Sequence, residues 1–280
     1  MVEIRQNPNR RASLPAGARL SLNRCNLPAI ILGSLTYQKH PVELKIDGVH
    51  ELHKALFAAL AGIATKKQRY IHFTRYMKSS FLLDYPDQAG MDGRAHRQRV
   101  KADYLHLLRG WFFDSNGREA AALKGWVESR FGLLTRSHNG PLIDVSSANY
   151  WRFQAERVQA MYNTNSLEMQ LDLIYSYCQF EARLLFHNHD HTTLYRGLNN
   201  LEYHEHLAPR RGRTLTLLLN NLNSFTRDRD RAETFGDHVI QVEVPVAKLL
   251  YYPGLLPGVL YGEAEHVVIG GAYEATLCVE

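Results

Sequence analysis

Residues 213–226 read RTLTLLLNNLNSFT, and residues 191–200 before them read HTTLYRGLNN. Both stretches are rich in Thr and Leu and are interrupted by Asn or Gly. Short apolar or alternating runs bounded by Gly, Pro, Asn and Asp read as strands. The same texture recurs to the end of the chain. It predicts strands at Thr193–Leu198, Arg213–Leu219, His238–Val244, Lys248–Tyr252, His266–Ile269 and Tyr273–Val279, with a helical turn or two between Asp228 and Phe235.

The preceding residues, from about 48 to 188, have a different period. Val49, Leu52, Leu56, Leu60 and Ile63 recur at spacings of three and four, which is one face of a helix. Val100, Tyr104, Leu107, Leu108 and Trp111 make a second stripe, and Leu123, Trp126, Val127 and Phe131 a third. A long segment carries Leu167, Leu171, Ile174, Cys178, Ala182 and Leu185. Asn116-Gly117 and Asn139-Gly140-Pro141 mark breaks between helices. The expected class is α+β, with a mainly helical part over residues 1–190 and a β-rich part over 191–280. Some 90 residues of sheet bury little by themselves, so the two parts are expected to share a core.

Composition narrows the function classes. The chain has 280 residues, 45% of them hydrophobic and 22% charged, which suits a folded globular protein. A formal charge of +5 favours acidic or phosphate-bearing partners. Arg5, Arg10, Arg11, Arg19 and Arg24 against Glu3 read as a solvated basic arm. Cys25, Cys178 and Cys278 stand too far apart for a CxxC metal or redox motif and read as reduced thiols. No run approaches a membrane span or a signal peptide, so a cytoplasmic protein without a membrane role is expected.

Three short motifs follow one another in the β-rich part. Tyr195-Arg196-Gly197 ends a predicted strand, Ser224-Phe225-Thr226 follows another, and Glu263-Ala264-Glu265 precedes a third. Arginine to serine is 28 residues and serine to the second glutamate is 41. Each motif has an ordinary explanation: a surface arginine, a turn or helix cap, an acidic strand end. Two carboxylates on one strand face repel each other, however, which a purely structural role does not favour. Order, spacing and strand context together point to a site.

Arg, then Ser-x-Thr, then Glu-x-Glu resembles the Arg-Ser-Glu class of ADP-ribosyltransferases. Ala232 and Phe235-Gly236 look like that class's aromatic segment beside the nicotinamide pocket, and Gly262–Ile269 looks like its acidic pair leading into a core strand. Over most of its length the chain resembles the dinitrogenase reductase ADP-ribosyltransferases of nitrogen-fixing bacteria. Its size, helical N-terminal part, Leu35-Thr36-Tyr37-Gln38 segment and Tyr-Arg-Gly motif all fit. The resemblance implies a split β-sandwich core in the C-terminal part and NAD as co-substrate. It implies transfer of ADP-ribose to an arginine of dinitrogenase reductase, reversibly switching off nitrogen fixation, and a PII-type signal protein as regulator. It assigns the helical part to target or regulator recognition.

The same resemblance implies roles that the chemistry supports. Glu265 stabilises the positive charge that develops on the ribose as nicotinamide leaves, through the ribose hydroxyl. Glu263 positions the acceptor guanidinium and takes its proton. Arg196 grips the pyrophosphate or the neighbouring ribose with its planar fork. Ser224 orients Glu265 and holds the nicotinamide ribose, with support from Thr226, and Phe235 stacks on nicotinamide. Tyr195, Gly197 and Phe225 complete the expected NAD contacts.

Other readings were weighed. A regulatory module that binds NAD or a protein without catalysis is the alternative, and intact Arg196, Ser224, Glu263 and Glu265 argue against it. His187-Asn188-His189-Asp190-His191 invites zinc, but its spacing departs from the HxHxDH pattern of metallo-hydrolases, so a polar linker and no metal are expected. Tyr70, Phe73 and Tyr76 with Arg69, Arg75 and Lys78 could stack on nucleic acid; a helix with a buried aromatic face is the commoner explanation, and no nucleic-acid partner is expected.

Overall fold

A computed structural model describes residues 13–85, 103–161, 164–187, 189–258 and 264–278. Glu263 lies outside them, as do Val100, Asn188, Gly262, Val279 and the arm's Glu3, Arg5, Arg10 and Arg11. Helices come first: α1 (Ala29–Leu32), α2 (Leu35–Lys39), α3 (Val49–Leu52), α4 (Lys54–Ala61), α5 (Lys66–Phe81), α6 (Tyr104–Phe113), α7 (Arg118–Phe131), α8 (Ala148–Ala160) and α9 (Thr164–Leu185). The strands are β1 (His191–Leu198), β2 (Glu205–Arg211), β3 (Thr214–Thr226), β4 (His238–Pro245), β5 (Leu249–Tyr251) and β6 (Glu265–Cys278), with helix α10 (Arg229–Glu233) between β3 and β4. The architecture is mixed helix and antiparallel sheet, as the two periodicities predict.

Local chemistry sets the helix starts. Ser34, Thr65, Asp103 and Ser147 each accept a hydrogen bond from a backbone N–H in the first turn of α2, α5, α6 and α8. Gly132, in the left-handed conformation at φ 68°, ends α7. The predicted breaks fall where expected, at 116–117 between α6 and α7 and at 139–141 between α7 and α8. The first stripe is corrected. The chain breaks at His53 between α3 and α4, the phase shifts, and Leu52 is left exposed. Leu185, at the end of α9, is exposed as well.

The sheet has three departures from the sequence expectation. Strand β3 runs on to Thr226, so Ser224-Phe225-Thr226 lies inside the strand rather than after it. The segments His266–Ile269 and Tyr273–Val279 are one strand, β6, which passes through Gly270-Gly271 and begins at Glu265. Strand β2 was not anticipated: it is a polar edge strand holding Pro209, a residue that edges tolerate.

All pairings are antiparallel, and four of them close a ring: β1 pairs β4, β4 pairs β6, β6 pairs β3, and β3 pairs β1. Each long strand changes its second neighbour partway along. Strand β3 has β2 beside it near Thr214–Leu218 and β1 at Thr226, with β6 on its other edge throughout. A bulge between Leu219 and Leu222 marks the change. Its extra residues are polar and reach out of the sheet: Asn221 donates to the carbonyls of Lys124 and Leu133, and Asn220 to that of Ser137.

One apolar cluster runs from Leu14 to Leu277 and takes residues from helices and sheet alike. Helix α9 lies at its centre. Its Leu167, Leu171, Ile174 and Cys178 are buried, and Gln179 donates to the carbonyls of Leu249 and Val246. Buried charges are paired: Arg69 is bidentate on Glu181 at 2.7 and 2.9 Å, and Arg130 on Asp172 at the same distances. Arg69 is therefore committed. Phe73 stacks on Tyr177 at 3.9 Å, so the aromatic stripe of α5 faces inward. In α2, Gln38 donates to the Glu274 carbonyl and accepts from its N–H, making the two bonds a neighbouring strand would make to β6.

Lys248 is fully buried. Its ammonium donates to the Gly270 carbonyl at 2.8 Å and lies 4.7 Å from the Tyr273 ring centre. Burial pushes its pKa down to about 7. The folded value lies below the unfolded value of about 10. Between those pH values the unfolded chain binds the extra proton, so stability rises with pH across the window and this contribution is flat below it. We expect Lys248→Met to remove roughly 1 kcal/mol per pH unit from the slope of unfolding free energy between about pH 8 and 9. Urea titrations at several pH values check this. Equal slopes for variant and wild type would show the amine to be charged inside the fold.

Candidate functional site

The row Tyr195, Thr226, Glu265 is the base of the site. Tyr195 is opposite Thr226 across β1–β3, and Thr226 is opposite Glu265 across β3–β6. Residues opposite each other in an antiparallel pair share a face, and alternate residues along a strand do too. Ser224 therefore points to the same side as Thr226 and Glu265 and is a diagonal neighbour of the carboxylate. Its hydroxyl donates to Glu265 Oε1.

A third group meets this pair from the helical layer. Trp111, in the last turn of α6, is buried, and its indole N–H is shared between Glu265 Oε1 at 2.8 Å and Ser224 Oγ at 3.1 Å. A buried indole needs a partner for its one donor. Here the partner is the site's carboxylate. Sequence reasoning took Trp111 for a core residue closing an apolar stripe. The one signal in the sequence was a polar-tipped aromatic where the stripe approaches a helix end.

Arg196 follows Tyr195 in β1 and is half-buried. Its Nη1 donates to the Ser224 carbonyl at 2.7 Å, while its Nε is buried with no hydrogen-bond partner. Burial lowers its pKa, and the Glu265 charge opposes that shift. Its guanidinium lies 5.9 Å from the centre of the Phe225 ring. The structure thus joins Arg196, Ser224, Thr226 and Glu265 in one place.

Lys124, the second residue missed in the sequence, lies behind Trp111, 5.9 Å from its ring centre. Its ammonium donates to Asn116 Oδ1, the Ser137 carbonyl and His138 Nδ1 at 3.2–3.3 Å, and His138 Nε2 meets Glu156 at 2.8 Å. Burial, and then repulsion from Arg196, push the lysine down to about 7. His266, next to Glu265 but on the opposite face of β6, is held down to about 4 by burial and by Arg227, and is neutral at pH 7.

Trp111, Lys124, Arg196, Ser224, Thr226 and Glu265 line one cleft of about 930 Å³ between the sheet and the helices, which Tyr195, Gly197, Phe225 and Phe235 also border. Phe235 reaches it through close backbone packing. A Cβ on Gly197 would sit 2.3 Å from the Ala232 carbonyl oxygen, and one on Gly236 would sit 2.4 Å from the Leu198 nitrogen. Only glycine at these positions lets the segment after α10 rest on β1. Asp228, which follows the Ser-x-Thr motif, caps α10, and Thr226 Oγ1 accepts from its N–H. Phe235 stays 65% exposed on the cleft wall.

Among the described residues no group of three or more His, Cys, Asp or Glu is placed to hold a metal, and no helix is long and apolar enough to cross a membrane. In the histidine cluster, His191 belongs to β1 and meets the Gln38 carbonyl through Nε2. Asn188 lies outside the described residues.

Residues 22–277 match the family model described as dinitrogenase reductase ADP-ribosyltransferase. The NAD(+)–dinitrogen-reductase ADP-D-ribosyltransferase of Rhodospirillum rubrum is 37% identical over 256 residues, covering 90% of this chain and 93% of that protein. No solved structure matches the chain.

We expect Gly197→Ala to lower unfolding free energy by roughly 1–3 kcal/mol, because the new methyl meets backbone rather than a movable side chain. Equilibrium denaturation measures it. An unchanged midpoint would mean that the α10 segment is not seated against β1.

Proposed function

The chain belongs to the dinitrogenase reductase ADP-ribosyltransferase family, and from that premise we propose that it transfers ADP-ribose from NAD to an arginine of dinitrogenase reductase, reversibly switching off nitrogen fixation. The observation that carries the reading is the carboxylate of Glu265, hydrogen-bonded by Ser224 and Trp111 beside the unpartnered Nε of Arg196. The ring of strand pairings supports reading the β-rich part as a split β-sandwich transferase core.

The residues fit NAD. A buried guanidinium nitrogen without a partner favours an anionic oxygen, and the cleft has room for a dinucleotide. NAD supplies a ribose whose leaving group is a ring cation, so the bond to nicotinamide breaks to a neutral molecule and needs no general acid. Arg196 holds the pyrophosphate or its ribose, with Tyr195 and Gly197 beside it. Ser224 and Trp111 aim Glu265 at the ribose, where its charge opposes the positive charge that develops on the sugar. Phe235, on the opposite wall, offers a face for nicotinamide, and Phe225 and Thr226 support the strand beneath. We assign to Glu263 the positioning of the target guanidinium, whose nitrogen bonds to the ribose carbon as its proton passes to the carboxylate.

In this scheme residues 191–280 carry the NAD site, and residues 1–190 bring Trp111 to it and recognise the target and a PII-type regulator, in the cytoplasm.

Transfer of labelled ADP-ribose to dinitrogenase reductase, with nicotinamide release in parallel, tests the reading. Glu265→Gln is expected to lower both by ~10²–10³. Glu263→Gln is expected to abolish transfer while leaving NAD cleavage measurable. Wild type that releases no nicotinamide would return the chain to the class of non-catalytic binding modules.

Trp111→Phe keeps the ring and removes the donor. We expect kcat to fall about tenfold, the loss of one hydrogen bond to a charged group. The KM for NAD should change little. A kcat within about twofold of wild type, or a fall in kcat matched by a loss of NAD affinity, would assign Trp111 to packing alone.

A further inference from the structure

The mouth of the cleft carries large apolar side chains with no packing of their own. Phe113 is 94% exposed, Tyr203 87% and Ile143 61%, and all three border the same cleft. They come from three separate segments: the end of α6, the loop after β1, and the loop after α7. We propose that this rim is the docking surface for the protein that presents the acceptor arginine, an inference that rests on the transferase reading above.

Three observations favour that occupant. The first is geometric. An arginine reaches out from its backbone by three methylenes and a guanidinium, so a folded protein that puts one beside Glu265 must lie against the mouth. Whatever surrounds the mouth is then covered in the reacting complex.

The second is rigidity. Phe113 and Ile143 each follow a packed side chain, and Tyr203 is held through its backbone. Phe113 follows Phe112, which packs on the Tyr251 ring at 5.1 Å, and lies two residues past buried Trp111. Ile143 follows Leu142, which is buried with Phe153 and Ala121. The Tyr203 N–H is tied to the Asn200 carbonyl at 2.8 Å, and Asn139 Nδ2 to the Asn116 carbonyl at 2.9 Å. Exposed aromatics on a fixed frame lose little entropy when covered and are enriched among the residues that carry binding energy.

The third is charge. Arg196 gives the cleft a buried guanidinium, which suits phosphate, and Glu265 is the anion beside it. Asp114, directly after Phe113, puts an exposed carboxylate on the wall near the mouth. A cation entering past Phe113 meets attraction first. The fitting partner is a globular protein with an exposed arginine set among apolar side chains.

The test compares acceptors of different size. Phe113→Ser with Ile143→Ser alters exposed positions outside the catalytic set. The expected result is a fall of about tenfold or more in kcat/KM for dinitrogenase reductase, with NAD hydrolysis and transfer to agmatine staying within about twofold. An unchanged rate on the protein acceptor overturns the proposal. So does a parallel fall in all three activities, which would give the rim to NAD or to the fold. Sedimentation of wild type as a dimer that the double variant dissociates would give it to a second copy of the chain. Wild type that cleaves no NAD removes the transferase reading and this proposal with it, an outcome distinct from any selective loss in the variant.

Discussion

Strand β3 is hydrogen-bonded to β1 on one edge and to β6 on the other at its C-terminal end, and the site depends on that double pairing. Adjacent strands lie about 4.8 Å apart, so a row across three of them sets Tyr195, Thr226 and Glu265 side by side without any loop to position them. The bulge at Asn220–Asn221 makes the arrangement possible. It marks where β3 leaves β2 for β1, and the same asparagines hold the middle of α7 and the following loop against the sheet. One irregularity thus closes the ring of strands and seats the helical wall of the cleft.

That wall contributes a side chain to the cleft. Through its buried indole, α6 reaches the carboxylate on the far side of the core, and the Lys124–His138–Glu156 chain lies behind the indole. The charges in the cleft are unevenly distributed. Arg196 adds to the burial that lowers Lys124, and Glu265 is the anion that supports the charge of Arg196. The family to which the chain belongs is named for a reaction of this kind.

Much of the fold is legible in the residue order. The stripes over Tyr104–Trp111, Leu123–Phe131 and Leu167–Ala182 are buried as their period requires, and the Asn-Gly pairs stand between helices. Legibility fails where a local rule meets a tertiary partner. Leu52 matches the helical period but falls beyond a break at His53. Gly270-Gly271 reads as the end of a strand, yet β6 continues because β3 and Gly33 supply its hydrogen bonds. Strand β2 is too polar to signal itself, since an edge strand with one partner needs no apolar alternation.

The sequence by itself determined the class of fold, the order of the motifs and the residue types that stand in them. Those properties are local or compositional: periodicity, turn residues, the fork of an arginine, the pairing of a serine with a carboxylate. Only the tertiary structure decided that Arg196, Ser224 and Glu265 share one cleft, and that Trp111 is the residue completing it. Strand order is not encoded in any one segment. It emerges when distant strands compete for the same edges and the helices cover what remains, so a tryptophan 113 residues before Ser224 becomes its hydrogen-bond partner.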